Sequence, residues 1–193
     1  GVSIPALDPT ARARFRQRWS LPAHAPVLLS VGRLTARKGL REFVRDVLPL
    51  IVHQRPDVVL AIVGDAPRHA LYAQPQPPEA ILDAARTAGV AQHLRFLGTL
   101  FGRELADAYF GADLHVFPVR DIPGDPEGFG MVAIEAAAHG LPTVAYATGG
   151  VVDAVAEGQS GRLVAPGDAP AFARAVLASL ENPPPAASCR DFA

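Results

Sequence analysis

The chain reads as a doubly wound α/β domain: a mostly parallel, six-stranded, Rossmann-like sheet with helices on both faces. Three observations predict it. Six short apolar runs alternate with segments of helical period, the pattern of strand–helix–strand units. Connections of that kind set neighbouring strands parallel. Polar, glycine-bearing turns recur after the strands, at 32–39, 64–67, 98–102, 119–130 and 148–150. No internal repeat or boundary interrupts the series, so residues 1–193 are expected to form a single domain.

Residues 1–9 carry Pro5 and Pro9 and read as an extended entry. A short helix is expected from Thr10 to Trp19, with Asp8 or Thr10 as its cap. Its four arginines fall on two sides, Arg12 with Arg16 and Arg14 with Arg18, which predicts a solvated helix rather than a basic stripe. Val27–Val31 is the first buried strand. Leu40, Phe43, Val44, Val47, Leu48 and Ile51 mark a helix to His53, which Pro49 should kink or shorten. Val58–Val63 is the second strand, and 68–78 a loop rich in proline and glutamine. The helix Glu79–Ala88 stops at Gly89. Leu94–Leu97 follows as a strand, Arg103–Phe110 as a helix and Leu114–Pro118 as the fourth strand. A loop, 119–126, leads into a helix over Phe129–His139, ended by Gly140 and Pro142. Thr143–Tyr146, a helix Val151–Ala156, Gly161–Val164 and a helix Pro170–Leu180 complete the pattern, and the tail from Ala186 shows none.

The totals exclude several classes. Nearly half of the 193 residues are apolar and the net charge is -1, without the positive excess that bulk nucleic-acid binding needs. Cys189 stands alone, so neither a disulfide framework nor a cysteine metal site is expected, and a reducing, cytoplasmic setting is. His24, His53, His69, His93, His115 and His139 show no paired metal-ligand spacing and read as structural or exposed. No apolar run reaches the roughly 18 residues of a membrane span, and no signal-peptide pattern opens the chain.

Ligands of such sheets sit beyond the carboxyl ends of the strands, where the five polar turns fall. One stretch there, Glu127 to Glu135, organises the rest. Gly128 and Gly130 flank Phe129 and let backbone approach a ligand. The N–H groups of Gly130, Met131 and Val132 would point outward at a helix start, a site suited to phosphate. Arg33 can fork onto phosphate oxygens, and Lys38 adds a mobile charge. The turn is not a Walker A loop, since Gly39 follows Lys38. Glu135, two turns inside the expected helix among alanines, needs something to satisfy it, a ligand hydroxyl pair or His139. Glu127 could serve a ligand or merely the helix N-terminus. Asp65 could touch a ligand or stabilise its own turn. Gly128-x-Gly130-x-x-Ala133 also fits a loose dinucleotide pattern, although it follows a long loop after the fourth strand.

Gly32-Arg33-Leu34 with Lys38-Gly39, Val63-Gly64-Asp65, Phe96-Leu97-Gly98, Glu127-Gly128-Phe129-Gly130 through Glu135, Gly140-Leu141-Pro142-Thr143-Val144 and Gly149-Gly150 recur here in one order. The set resembles the C-terminal half of the GT-B retaining glycosyltransferases called family 4 or group 1, over residues 27–181. The resemblance implies a donor domain for a nucleotide diphosphate sugar, GDP- or UDP-linked, working without a metal or other cofactor. It implies that Arg33 and Lys38 hold the diphosphate and steady the leaving group, with Gly32 in the same turn. Backbone at Gly128, Phe129, Gly130, Met131 and Val132 would contact sugar and phosphate. Glu127 would contact the transferred hexose, Glu135 the ribose hydroxyls, and the Leu97–Thr99 turn, with Gly98, would line the base.

The family's N-terminal acceptor half has no counterpart in this sequence, and Gly1-Val2 resembles the end of the interdomain linker. The C-terminal helix that crosses back to the other half is likewise missing or short. The expectation is therefore a half-enzyme that binds donor weakly and transfers nothing alone, with any membrane-surface association belonging to the absent half. The loop 120–126 is similar to that of mannosyltransferases acting on lipid-linked acceptors, which points to GDP-mannose. A non-catalytic nucleotide-sugar module and an NAD-type cofactor domain are the alternatives.

Overall fold

The structure, a computed structural model, describes residues 2–69 and 73–193. Gly1 and residues 70–72 of the expected loop 68–78 lie outside them. The strands β1 (Val27–Val31), β2 (Val59–Val63), β3 (Leu94–Gly98), β4 (Leu114–Phe117), β5 (Thr143–Tyr146) and β6 (Gly161–Val164) form one sheet. Its order is β3-β2-β1-β4-β5-β6, and every pairing is parallel. The winding direction reverses between β1 and β4. In open α/β sheets that reversal opens the crevice in which ligands bind.

Side chains alternate along the strands to build two apolar layers. Leu28, Leu60, Ile62, Leu114 and Val116 face one core. Val27, Leu29, Val31, Val59, Ala61 and Val63 face the other. The first layer is covered by α2 (40–54), α3 (Pro78–Thr87) and α7 (Ala169–Glu181). Phe43 of α2 meets Phe172 of α7 edge-on, with ring centroids 5.7 Å apart. The second side carries α1 (Ala11–Arg18), α4 (Gly102–Gly111), α5 (Met131–Ala138), α6 (Val151–Ala154) and α8 (Ala186–Phe192).

Three expectations need correction. Pro49 does not shorten α2: the helix runs through a π-wound stretch, Phe43–Val47, before resuming as Leu48–Gln54. The wider winding moves the upstream carbonyls that the proline ring would strike, and it absorbs the missing N–H. Two of the four arginines of α1 are not solvated: Arg16 is buried and Arg14 half-buried, while Arg12 and Arg18 are exposed as expected. Arg16 is 4% exposed and donates to the carbonyls of Pro22 (2.8 Å) and Ala25 (2.7 Å) and to Asp113 (2.8 Å). Arg12 also pairs with Asp113, and Arg14 with Asp107 on α4 (2.6 Å). Asp107 and Asp113 come from a distant stretch of chain, so helix periodicity alone left Arg14 and Arg16 in water. Asp8 accepts from the Thr10 N–H (3.0 Å) and neither side chain caps the helix.

The third correction is the tail. Residues from Ala186 form α8, with Cys189 buried and Arg190 donating to the carbonyls of Ala138 (3.0 Å) and Pro5 (2.8 Å). Seven residues are too few to hold a helix alone; contact with α5 does. Among the described residues, no helix is long and apolar enough to cross a membrane.

Candidate functional site

The turns that follow β1 and β4 meet at the switch point. Gly39 has φ +71°, and a Cβ there would stand 2.0 Å from the Pro118 carbonyl oxygen. The Arg120 N–H donates to the Arg37 carbonyl at 2.8 Å. A third turn, from β5, presses in: Gly149 and Gly150 lie against the backbone of Glu127 and Gly128. Glycines therefore let separate turns share one small volume.

Lys38 extends from this junction past Gly32, where a Cβ would touch its stem at 3.4 Å. Its ammonium lies 5.1 Å from the Phe117 ring centre and 2.9 Å from Glu127 Oε2. The Phe117 ring also lies against Gly130, whose imagined Cβ would sit 3.3 Å away. Lys38 and Gly130 thus flank the same aromatic ring, on one rim of the sheet. Burial draws the Lys38 pKa below its ordinary value, and the Glu127 carboxylate works against that shift. Arg33 follows β1 in the same turn, exposed, and lines with Lys38, Gly32 and Phe117 a small recess above the strand ends.

The start of α5 lies beside this recess, against the Phe117 ring. Gly130 adopts φ +72° and no side chain caps the helix. Among the described residues, the N–H groups of Gly130, Met131 and Val132 have no partner. Phe129 (53% exposed) and Met131 (46% exposed) stand out into solvent beside them, while Val132 turns toward the core. Unpaired N–H groups at a helix start attract an anion.

Helix α5 begins two residues later than expected, so Glu135 sits one turn inside it rather than two. The Tyr109 hydroxyl donates to Glu135 Oε2 at 3.0 Å. His139 instead bonds the Glu135 main-chain carbonyl at 2.7 Å, so the side-chain pair between them does not form. Burial and the neighbouring Glu135 charge push the Tyr109 pKa strongly upward, which keeps the phenol a hydrogen-bond donor.

Two expected positions serve the scaffold first. Asp65 Oδ1 accepts from the Ala66 N–H at 2.7 Å and its carbonyl accepts from Leu34 at 3.0 Å, so it builds its own turn. Leu97 is buried with the core, and only Gly98 and Thr99 are exposed in that turn.

Sequence reasoning missed Arg37, Asp125 and Tyr109. Arg37 Nη1 donates to Asp125 at 2.6 Å and Nε to Glu127 Oε2 at 3.1 Å. A turn with three cations opposite a loop holding Asp121, Asp125 and Glu127 was the available signal. For Tyr109 the signal was mutual need, an acid in an alanine helix and a phenol on a buried helix face. Among the described residues, no group of three His, Cys, Asp or Glu side chains could hold a metal.

The family model described as "Glycosyl transferases group 1" matches residues 25–182. D-inositol 3-phosphate glycosyltransferase 2 of Catenulispora acidiphila is 37% identical over 186 residues, which are 95% of this chain and 42% of that protein. The GDP-mannose-dependent alpha-(1-6)-phosphatidylinositol monomannoside mannosyltransferase of Mycolicibacterium smegmatis is 37% identical over 185 residues, 95% of this chain and 46% of that protein. The chain therefore spans less than half the length of each. A protein of Anabaena solved in complex with UDP and glucose shares the fold, with TM-score 0.78 and 24% identity over 96% of this chain and 47% of that one. The switch-point glycines and cations sit inside the matched residues, and the chain belongs to the group 1 glycosyl transferases.

Proposed function

We propose that this chain is the donor-binding half of a retaining glycosyltransferase that moves a hexose from a nucleotide diphosphate sugar to a glycan or lipid-linked acceptor. Lys38 and Arg33 take the diphosphate from one side. The N–H edge of Gly130, Met131 and Val132 takes it from the other. As the glycosidic bond breaks, charge grows on the departing phosphate, and these fixed donors stabilise it without reorganising. Glu127 faces the hexose, Glu135 accepts from the ribose hydroxyls, and the exposed Gly98–Thr99 turn lines the base. No metal takes part. Acceptor binding belongs to a second half, so this half alone binds donor and transfers nothing.

The observation that supports the reading is the meeting of Lys38, Glu127 and an uncapped helix start around Phe117, at the place where the strand order reverses. GDP-mannose is the favoured donor, on the strength of the mycobacterial relative whose name carries that dependence. Ligand-observed NMR with GDP, UDP, ADP and NAD tests it. Binding of a nucleoside diphosphate, undiminished by EDTA, is expected. Binding of NAD with no nucleoside diphosphate would overturn it.

A further inference from the structure

We propose that Arg37 is a positioning residue for Glu127, holding that carboxylate toward the hexose once Lys38 has turned to the diphosphate. The inference rests on the donor reading above. Glu127 Oε2 accepts from both Lys38 Nζ (2.9 Å) and Arg37 Nε (3.1 Å). Both cationic side chains and the carboxylate are nearly buried, at 14%, 13% and 9% exposure. Oε1 has no partner among the described residues, yet it is not enclosed, so it remains free to accept from a ligand hydroxyl.

A single positive charge cannot neutralise both anions. A diphosphate carries more charge than a carboxylate and would draw Lys38 away from Glu127. Glu127 would then stand beside a polyanion with its own charge uncompensated, and the two would repel. Arg37 removes that conflict. Its guanidinium reaches Glu127 through Nε while Nη1 is braced by Asp125 at 2.6 Å, a fixed fork that a mobile ammonium cannot reproduce. The carboxylate thus keeps one oxygen pinned and the other presented.

The side chain is not all that joins the two turns. The backbone bond from Arg120 to the Arg37 carbonyl and the close approach of Gly39 to Pro118 do that without it. Arg37 is therefore removable with the junction left standing.

Isothermal titration of the full chain would compare a nucleoside diphosphate with its hexose ester: GDP against GDP-mannose, and UDP against UDP-glucose. Arg37→Ala is expected to weaken the sugar nucleotide by about tenfold, the scale of one lost charged hydrogen bond. The nucleoside diphosphate, which has no hexose for Glu127 to meet, should change less than about twofold. Arg37→Lys should recover part of the loss. Asp125→Asn, which frees the brace but keeps the cation, should fall between. Parallel weakening of both ligands, or of neither, would overturn the role of Arg37 while leaving the donor reading intact. No binding of either ligand to the unaltered chain would sink the donor reading and this inference together. Urea midpoints of Arg37→Lys and Asp125→Asn near that of the parent keep a binding change separate from unfolding.

Discussion

A Cβ placed on Gly150 would stand 1.7 Å from the carbonyl oxygen of Gly128. The φ of Gly150 is -71°, which any residue adopts, so only the missing side chain makes this position a glycine. The β5 turn is therefore pressed onto the backbone leading into α5. Gly150→Ala should drive the two apart. The expected loss is about 1–3 kcal/mol of stability, as for other overpacked sites, and a further loss of nucleotide affinity. Urea unfolding and titration with GDP and UDP measure the two; full affinity with unchanged stability would contradict the contact.

Lys38 and Arg33 should matter to the diphosphate and little to the fold. Replacing either with Ala is expected to weaken nucleoside diphosphate binding by about 1–3 kcal/mol. Glu127 keeps Arg37 as its partner in Lys38→Ala, so no buried charge is orphaned and the urea midpoint should hold. Titration of both variants against the parent gives the answer. Equal affinity in all three would remove these side chains from the site.

Glu135, bonded to Tyr109 through Oε2, is the acceptor proposed for the ribose hydroxyls. Glu135→Gln should cost more affinity for GDP than for its 2′-deoxy counterpart, because the latter has already lost a ribose hydroxyl. The gap between the two nucleotides, read by titration, should narrow in the variant. A gap that stays the same assigns the ribose elsewhere.

His115 makes stability depend on pH. It is fully buried beneath the site, with Nδ1 bonded to Thr143 at 2.9 Å and Nε2 unpartnered among the described residues. Burial, and then the charge of Lys38, lower its pKa from 6.5 to about 3. Below pH 6.5 the unfolded chain takes up a proton that the folded chain refuses. Stability should therefore fall as pH drops from 6.5 toward 3, by up to about 1.4 kcal/mol per pH unit from this group. His139, lowered chiefly by burial, acts in the same direction. Urea midpoints at pH 7, 6 and 5 should converge more slowly to low values in His115→Gln than in the parent. Identical slopes would clear His115 of the effect.

The strands and most helices were legible because apolar runs and periods are local properties. Val27–Val31 and Thr143–Tyr146 were read to the residue. Gly149 and Gly150 were read as a turn, and the sequence could not say that Gly128 leans on them. Arg33 and Lys38 were legible as cations in the turn after β1, and Gly130 as the start of a helix. Arg37, Asp125 and Tyr109 were not, since each acquires meaning only from a partner 26 to 90 residues away. Arg16 failed partly for a like reason: Asp113 lies 97 residues away, while the carbonyls of Pro22 and Ala25 reach it through a local turn.

Arg190 fastens α8 to Pro5, and Val2, Phe192 and Ala193 all rest on the apolar cluster that includes Ala133 and Ile134 of α5. Val2 and the segment from Arg190 thus share a seat on the flank of the helix whose start lies by Phe117. Strands β4 and β5 enter the same cluster through Phe117 and Ala145, so a change in how either end segment is held would be felt by the helix start and by the ring beside Lys38 together.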